Sequence, residues 1–166
     1  MLKKNKKRQQ EEEQKAEENG EVLAPKVKKS PAELRLKKEF AEIDLPAHAT
    51  ISFPNDKDLM KFNVVIDLQR EDCLWKGGKY QFTVTIPFNY PHEAPKCHCD
   101  TPIYHPNIDR QGNVCLNILR ADWKPVLGIN PVILGLIFLF IEPNSEDPLN
   151  HEAAEVLRNN PHVFTQ

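Results

Sequence analysis

The sequence predicts an α+β domain: an N-terminal helix, a four-stranded antiparallel meander, a long loop and two further helices. Three observations carry this. Two apolar/polar alternating runs lie on either side of Gly77-Gly78. An apolar run from Val132 to Ile141 follows a long stretch with no periodicity. Segments of helical period, each opened by a capping signal, stand at both ends.

The elements follow in order. Ser30-Pro31-Ala32-Glu33 reads as a capping box, with Ser at N-cap, Pro at the first helical position and Glu at the third. The helix is expected to run to about Ile43, with Ala32, Leu36, Phe40 and Ile43 on one face and Arg35, Lys38 and Glu39 pointing elsewhere. A short strand is expected near Thr50–Phe53. Phe62, Val64, Ile66 and Leu68 then alternate with Asn63 and Asp67, with Val65 breaking the polar side. Tyr80, Phe82, Val84 and Ile86 alternate with Lys79, Gln81, Thr83 and Thr85. Lys96–Cys99 supplies a fourth strand. Period-two alternation of this kind makes an antiparallel sheet with one buried face.

Pro87, Pro91 and Pro95 mark a loop. From Thr101 to Ile129 little regular structure is expected, and a stretch that long inside a compact domain is usually functional. Asn130-Pro131 is read as capping a helix over Val132–Phe140, apolar nearly all round and therefore buried. A second loop covers 142–149. Asn150 caps a last amphipathic helix, stopped by Asn160-Pro161.

A chain of 166 residues with 40% hydrophobic residues fits one domain with a real core. Charge divides it. Residues 1–29 hold nine Lys/Arg and six Glu, a net of +3, which leaves 13 basic and 18 acidic groups, a net of −5, for the rest. The arm 1–29 is poor in large apolar residues and is expected to be disordered, ahead of a core over 30–166. The net charge of −2 gives no bias toward nucleic acid. The longest apolar run is far short of the roughly 20 residues that span a bilayer, so no membrane role is expected. Met1-Leu2 runs straight into a lysine block without a secretory signal. Four Cys without a disulfide framework fit a reducing cytoplasm or nucleus.

Cys97-His98-Cys99 invites a metal reading. Zinc needs four ligands at usable spacing, and Cys73 and His92 stand isolated, so buried apolar-like Cys is the better reading and no metal or cofactor is expected.

The chemistry concentrates elsewhere. His105-Pro106-Asn107 stands ahead of a lone thiol, with Asn107 eight positions before Cys115. The thiol sits in Gly112-Asn113-Val114-Cys115-Leu116, and Trp123-Lys124-Pro125 follows. This text resembles the active-site signature of the ubiquitin-conjugating enzyme family over about Ser30 to Phe164. The resemblance implies that family's fold. It implies that Cys115 carries a ubiquitin-like protein as a thioester, a bond reactive toward amines yet durable enough to be carried. No dedicated base for Cys115 is visible, and the incoming thioester is already activated.

The same resemblance implies roles for the neighbours. Asn107 supplies an amide to the oxyanion formed when a lysine attacks, or else braces the loop; both readings stay open. His105, with Pro106, orders and packs the loop rather than serving a Cys–His protease. Asp147, 32 residues after Cys115, matches an acidic gate that orients the acceptor lysine, with Glu146 as local competitor. Pro125, Val126 and the loop near Ile86 match where members meet RING-type ligases. Arg35 and Lys38 match a helix face used for activating enzyme and ligase. Members normally continue through another C-terminal helix, so the last helix is expected to be missing from a chain ending at Gln166.

Within the family the text is most similar to the branch that conjugates the Nedd/Rub modifier. The runs Cys115 to Leu127, Phe138 to Asn144 and Asp147 to Leu157 carry that similarity. It implies a heterodimeric activating enzyme, a RING ligase, cullin substrates and a Dcn-type co-ligase whose pocket would take Met1 and Leu2. The lysine block after Leu2 departs from that branch, because groove docking needs spaced apolar anchors. The alternatives are the same chemistry with ubiquitin, or a non-catalytic variant that only binds ubiquitin or a ligase; the presence of Cys115 argues against the second.

Overall fold

The computed structural model describes residues 29–70 and 72–162. The arm over 1–28, with Met1 and Leu2, lies outside the described residues.

Helix α1 spans Pro31–Ala41. Strands β1 (Ala49–Ser52), β2 (Lys61–Asp67), β3 (Lys79–Thr85) and β4 (Lys96–Cys99) follow. They form one antiparallel sheet in the order β1-β2-β3-β4, the expected meander. Register puts Val64 opposite both Ile51 and Phe82, and Phe82 opposite Cys99. Alternation then drives Phe62, Val64, Ile66, Phe82 and Val84 to the same buried face.

Two helices lie against that face. Phe40 of α1 meets Phe53 and Phe62 edge-on, each at 5.1 Å between ring centroids. Helix α2 (Ile129–Ile141) sends Phe140 to stack on Tyr80 at 4.9 Å and to meet Phe82 at 6.2 Å. Such ring pairs add to the burial of the rings themselves. Helix α3 (His151–Asn159) is opened by Asn150, whose side chain accepts from Ala153 N.

The α2 boundary differs from the sequence expectation. The helix starts at Ile129, not Val132, and Asn130-Pro131 lie inside its first turn. First-turn amides have no partner within the helix, so proline is tolerated there. The N-cap is Gly128, at φ 82, with no side chain to offer. Instead Glu39 of α1 accepts from Ile129 N at 2.8 Å. A Cβ on Gly128 would come within 2.9 Å of that carboxylate.

Glu39 does more than cap. It accepts from the Tyr90 hydroxyl at 2.9 and 2.8 Å and is paired with the Arg35 guanidinium, which also reaches Pro125 O at 3.3 Å. Burial and the neighbouring carboxylate together push the Tyr90 phenol above its ordinary range. Glu39→Leu would strand Tyr90 and Ile129 N without partners in a largely dry site. We expect a loss of roughly 3 kcal/mol, read from the urea midpoint, since each stranded buried group costs about 1–3 kcal/mol.

Helix α2 is not buried all round. Leu134, Phe138 and Ile141 are exposed, while Val132, Ile133, Leu136 and Phe140 face the core. The loop from 101 to 129 is irregular but anchored. A 3-10 turn spans Asn117–Leu119, and an isolated antiparallel bridge joins Ile108 to Val114.

Candidate active site

The segment 105–115 doubles back on itself to present the thiol. Asp109 accepts from Gln111 N, Asn113 N and Asn113 Nδ2, closing a tight turn. Gly112 sits at φ 84, where an added Cβ would lie 2.3 Å from Cys99 O. Cys115 N then donates to Asn107 O at 2.8 Å. Cys115 is thereby placed on the floor of a shallow cleft of about 140 Å³, 7% exposed. Asn107, Leu116, Asn117, Gly135, Phe138, Glu142, Asn144 and Asp147 share the lining. Gly135 leaves room for Leu116, whose Cδ2 would be 2.9 Å from an added Cβ.

Asn107 is almost fully buried and its amide is engaged twice. Nδ2 donates to Asn144 O at 2.7 Å, and Oδ1 accepts from Asn144 N at 2.9 Å. This locks the loop after α2 onto the thiol segment. A carboxamide carries two amide protons, and Asn144 takes one of them. Pro106 reinforces the same junction: its carbonyl accepts from both Leu149 N and Asn150 N at 2.9 Å.

His105 is fully buried, stacked on Trp75 at 4.3 Å. Its Nε2 bonds Leu139 O at 2.9 Å and its Nδ1 accepts from Asn107 N at 2.9 Å. Both ring nitrogens are therefore occupied, and the ring cannot take a proton from Cys115. Burial lowers its pKa to about 4, so it stays neutral.

Asp147 is exposed on the rim of the cleft, on the loop that Asn107 holds. Asn144 Oδ1 organises that loop by accepting from Glu146 N at 2.8 Å and Asp147 N at 3.4 Å. Glu146 is exposed too but does not line the cleft.

The sequence reading missed Arg120, which follows the 3-10 turn and donates from its guanidinium to Cys115 Sγ at 2.9 Å. The only signal was its place five residues after the thiol.

The expected partner-facing residues divide. Lys38, Pro125 and Val126 are exposed, and Arg35 is partly so. Ile86 needs correcting. It is 4% exposed and continues the buried phase of β3, so its side chain has no surface to offer; Phe88, two residues on, is 82% exposed.

Cys97 and Cys99 lie in or against the core, and burial pushes their thiols up to about 12 and about 11. His98, on the opposite face, bonds Asp100 Oδ1 at 3.0 Å and Gln111 O at 2.7 Å. Two acceptors suit an imidazolium, and the Asp100 contact leads in holding its pKa above the ordinary value. A raised folded value stabilises fully below the unfolded pKa of about 6.5 and is lost as pH rises through the folded one. His105 works in reverse, with stability lost as pH falls from about 6.5 toward about 4. Urea midpoints measured across pH should fall on the alkaline side, and less so in His98→Gln.

The profile described as "Ubiquitin-conjugating enzyme" matches residues 35–166. The chain belongs to the ubiquitin-conjugating enzyme family. It is a conjugating transferase by that membership. Among relatives, it is 59% identical to the "NEDD8-conjugating enzyme Ubc12" of Arabidopsis thaliana over 138 residues, covering 82% of this chain and 74% of that protein. It is 50% identical to the "Nedd8-conjugating enzyme UbcE2M" of Drosophila melanogaster over 137 residues, covering 82% and 75%. Among solved structures it is similar to "S. cerevisiae Ubc12", with TM-score 0.76 and 38% identity, over 96% of this chain and 87% of that one.

Proposed function

We propose that the chain accepts a Nedd-type ubiquitin-like protein from its activating enzyme as a thioester on Cys115. It then passes the modifier to a substrate lysine, on cullins, with a RING ligase. The observation that carries this reading is the placement of Cys115 as the one nucleophilic thiol in the cleft, with the Asp147 carboxylate on its rim. The names of the similar proteins support the choice of modifier.

The chemistry runs in two steps. Cys115 Sγ attacks the carbonyl carbon of the thioester on the activating enzyme; a new C–S bond forms and the donor thiolate leaves. A lysine amine then attacks the same carbon, forming C–N and expelling the Cys115 thiolate. In this reading the second amide proton of Asn107 serves the oxyanion while the first braces Asn144. Asp147 orients the amine and helps it lose its proton. Arg35, Lys38, Pro125, Val126 and the exposed Phe88 offer the surface for activating enzyme and ligase, and Met1-Leu2 the motif for a Dcn-type co-ligase. The compartment that goes with this reading is the reducing cytoplasm or nucleus, where the Cys115 thiol stays free.

The test is a charging assay on a non-reducing gel, offering the Nedd-type modifier and ubiquitin in parallel, each with its own activating enzyme and ATP. We expect a thiol-sensitive adduct with the Nedd-type modifier alone. An adduct with ubiquitin alone would keep the chemistry and overturn the choice of modifier. Failure with both would favour a binding module.

A further inference from the structure

Among the described residues, one side chain hydrogen-bonds the sulfur of Cys115, and it is Arg120. Its backbone is held on both sides: Arg120 N donates to Asn117 O at 2.9 Å, and Arg120 O accepts from Trp123 N at 3.3 Å. Trp123 is itself anchored by its indole N–H on Pro91 O at 2.9 Å. No carboxylate among the described residues pairs with the Arg120 guanidinium, whereas Arg35 and Arg110 each have one. The charged residues lining the cleft, Glu142 and Asp147, are acidic. A guanidinium spent on a thiol, at the edge of an otherwise acidic cleft, has its charge aimed at sulfur.

We propose that Arg120 is a catalytic residue in both half-reactions, holding negative charge on Cys115 Sγ before it attacks and again as it leaves. The proposal rests on the thioester reading above. Guanidinium has no lone pair, so it cannot take the thiol proton, which passes to solvent. Its action is on the charge alone. In the first step it favours the thiolate that forms the C–S bond. In the second it stabilises the same thiolate when the C–S bond breaks, and a less basic thiolate leaves faster. While the thioester exists the sulfur is neutral, and the contact is weakest. Lys at this position keeps the charge; Gln keeps reach and polarity without it.

The test is alkylation of Cys115 by iodoacetamide across pH, quantified on the Cys115 peptide by mass spectrometry so that Cys73, Cys97 and Cys99 do not count. Arg120→Gln should react roughly fivefold more slowly than wild type near neutral pH, the scale of one exposed charge contact. The gap should close at high pH, where solvent removes the proton unaided. Arg120→Lys should stay near wild type. Discharge of a preformed thioester to free lysine should slow by a similar factor in Arg120→Gln. Equal alkylation of Gln variant and wild type at neutral pH would overturn the proposal. So would slowing by the same factor at every pH, which would mark altered access rather than charge. Alkylation without the use of any modifier separates this outcome from the charging assay: wild type that alkylates as expected but never charges would sink the thioester reading alone.

Discussion

Cys115→Ala should abolish charging outright while leaving the fold intact. Two features make the effect clean. The side chain is small, so its removal leaves little cavity; the expected stability change is about 1 kcal/mol or less. None of the other three thiols, Cys73, Cys97 and Cys99, lines the cleft. Cys97 and Cys99 are held by burial at about 12 and about 11, far from the thiolate form near neutral pH. The measurement is the thiol-sensitive adduct on a non-reducing gel beside a thermal melt. A residual adduct of normal intensity in the Ala variant would remove Cys115 from the mechanism, and a collapsed melt would mean the residue is needed for folding.

Asn107→Ala carries the second large effect, and here two roles must be separated. The amide bonds Asn144 through both its donor and its acceptor. Losing it strands the Asn144 N–H and carbonyl in a part-buried site and costs roughly 2 kcal/mol, taking about 1 for each. Losing a donor to the oxyanion would by itself slow lysine discharge by a factor of about 10²–10³. Asn107→Ser, with less reach, should charge normally and discharge slowly if the oxyanion role holds. Poor charging as well as poor discharge would mark Asn107 as a brace, because a displaced 142–147 loop harms both steps. The comparison needs single-turnover rates for each half-reaction, with the urea midpoint of both variants.

Why some features were legible in the sequence and others were not follows from the range of the contacts involved. Strand alternation has a period of two and needs no distant partner, so β2, β3 and β4 were readable directly, as was the Asn150 cap that acts within its own helix. The same alternation, followed one step further, already put Ile86 in the buried phase with Phe82 and Val84; assigning it to a partner surface ignored that signal. The start of α2 could not be read locally, because its capping carboxylate is Glu39, 90 residues away. A helix-face argument that sent Glu39 outward had no means of knowing that another helix would begin there. Asn107 reaches 37 residues to Asn144, so its bracing role became visible only once the fold brought the loops together. Arg120 reaches only five, yet the 3-10 turn that curls it back on the sulfur carries no capping or periodic signature.

The Glu39 carboxylate also has a kinetic side. It joins α1 to Tyr90, 51 residues on, and to Ile129, 90 residues on. The amide proton of Ile129 can reach solvent only when that carboxylate lets go. Contacts spanning such separations are slow to close and form late. The first turn of α2 therefore behaves as a latch on the whole assembly rather than as a fraying helix end. Its deuterium uptake reports whether α1, the Tyr90 loop and α2 have come together as one cooperative unit.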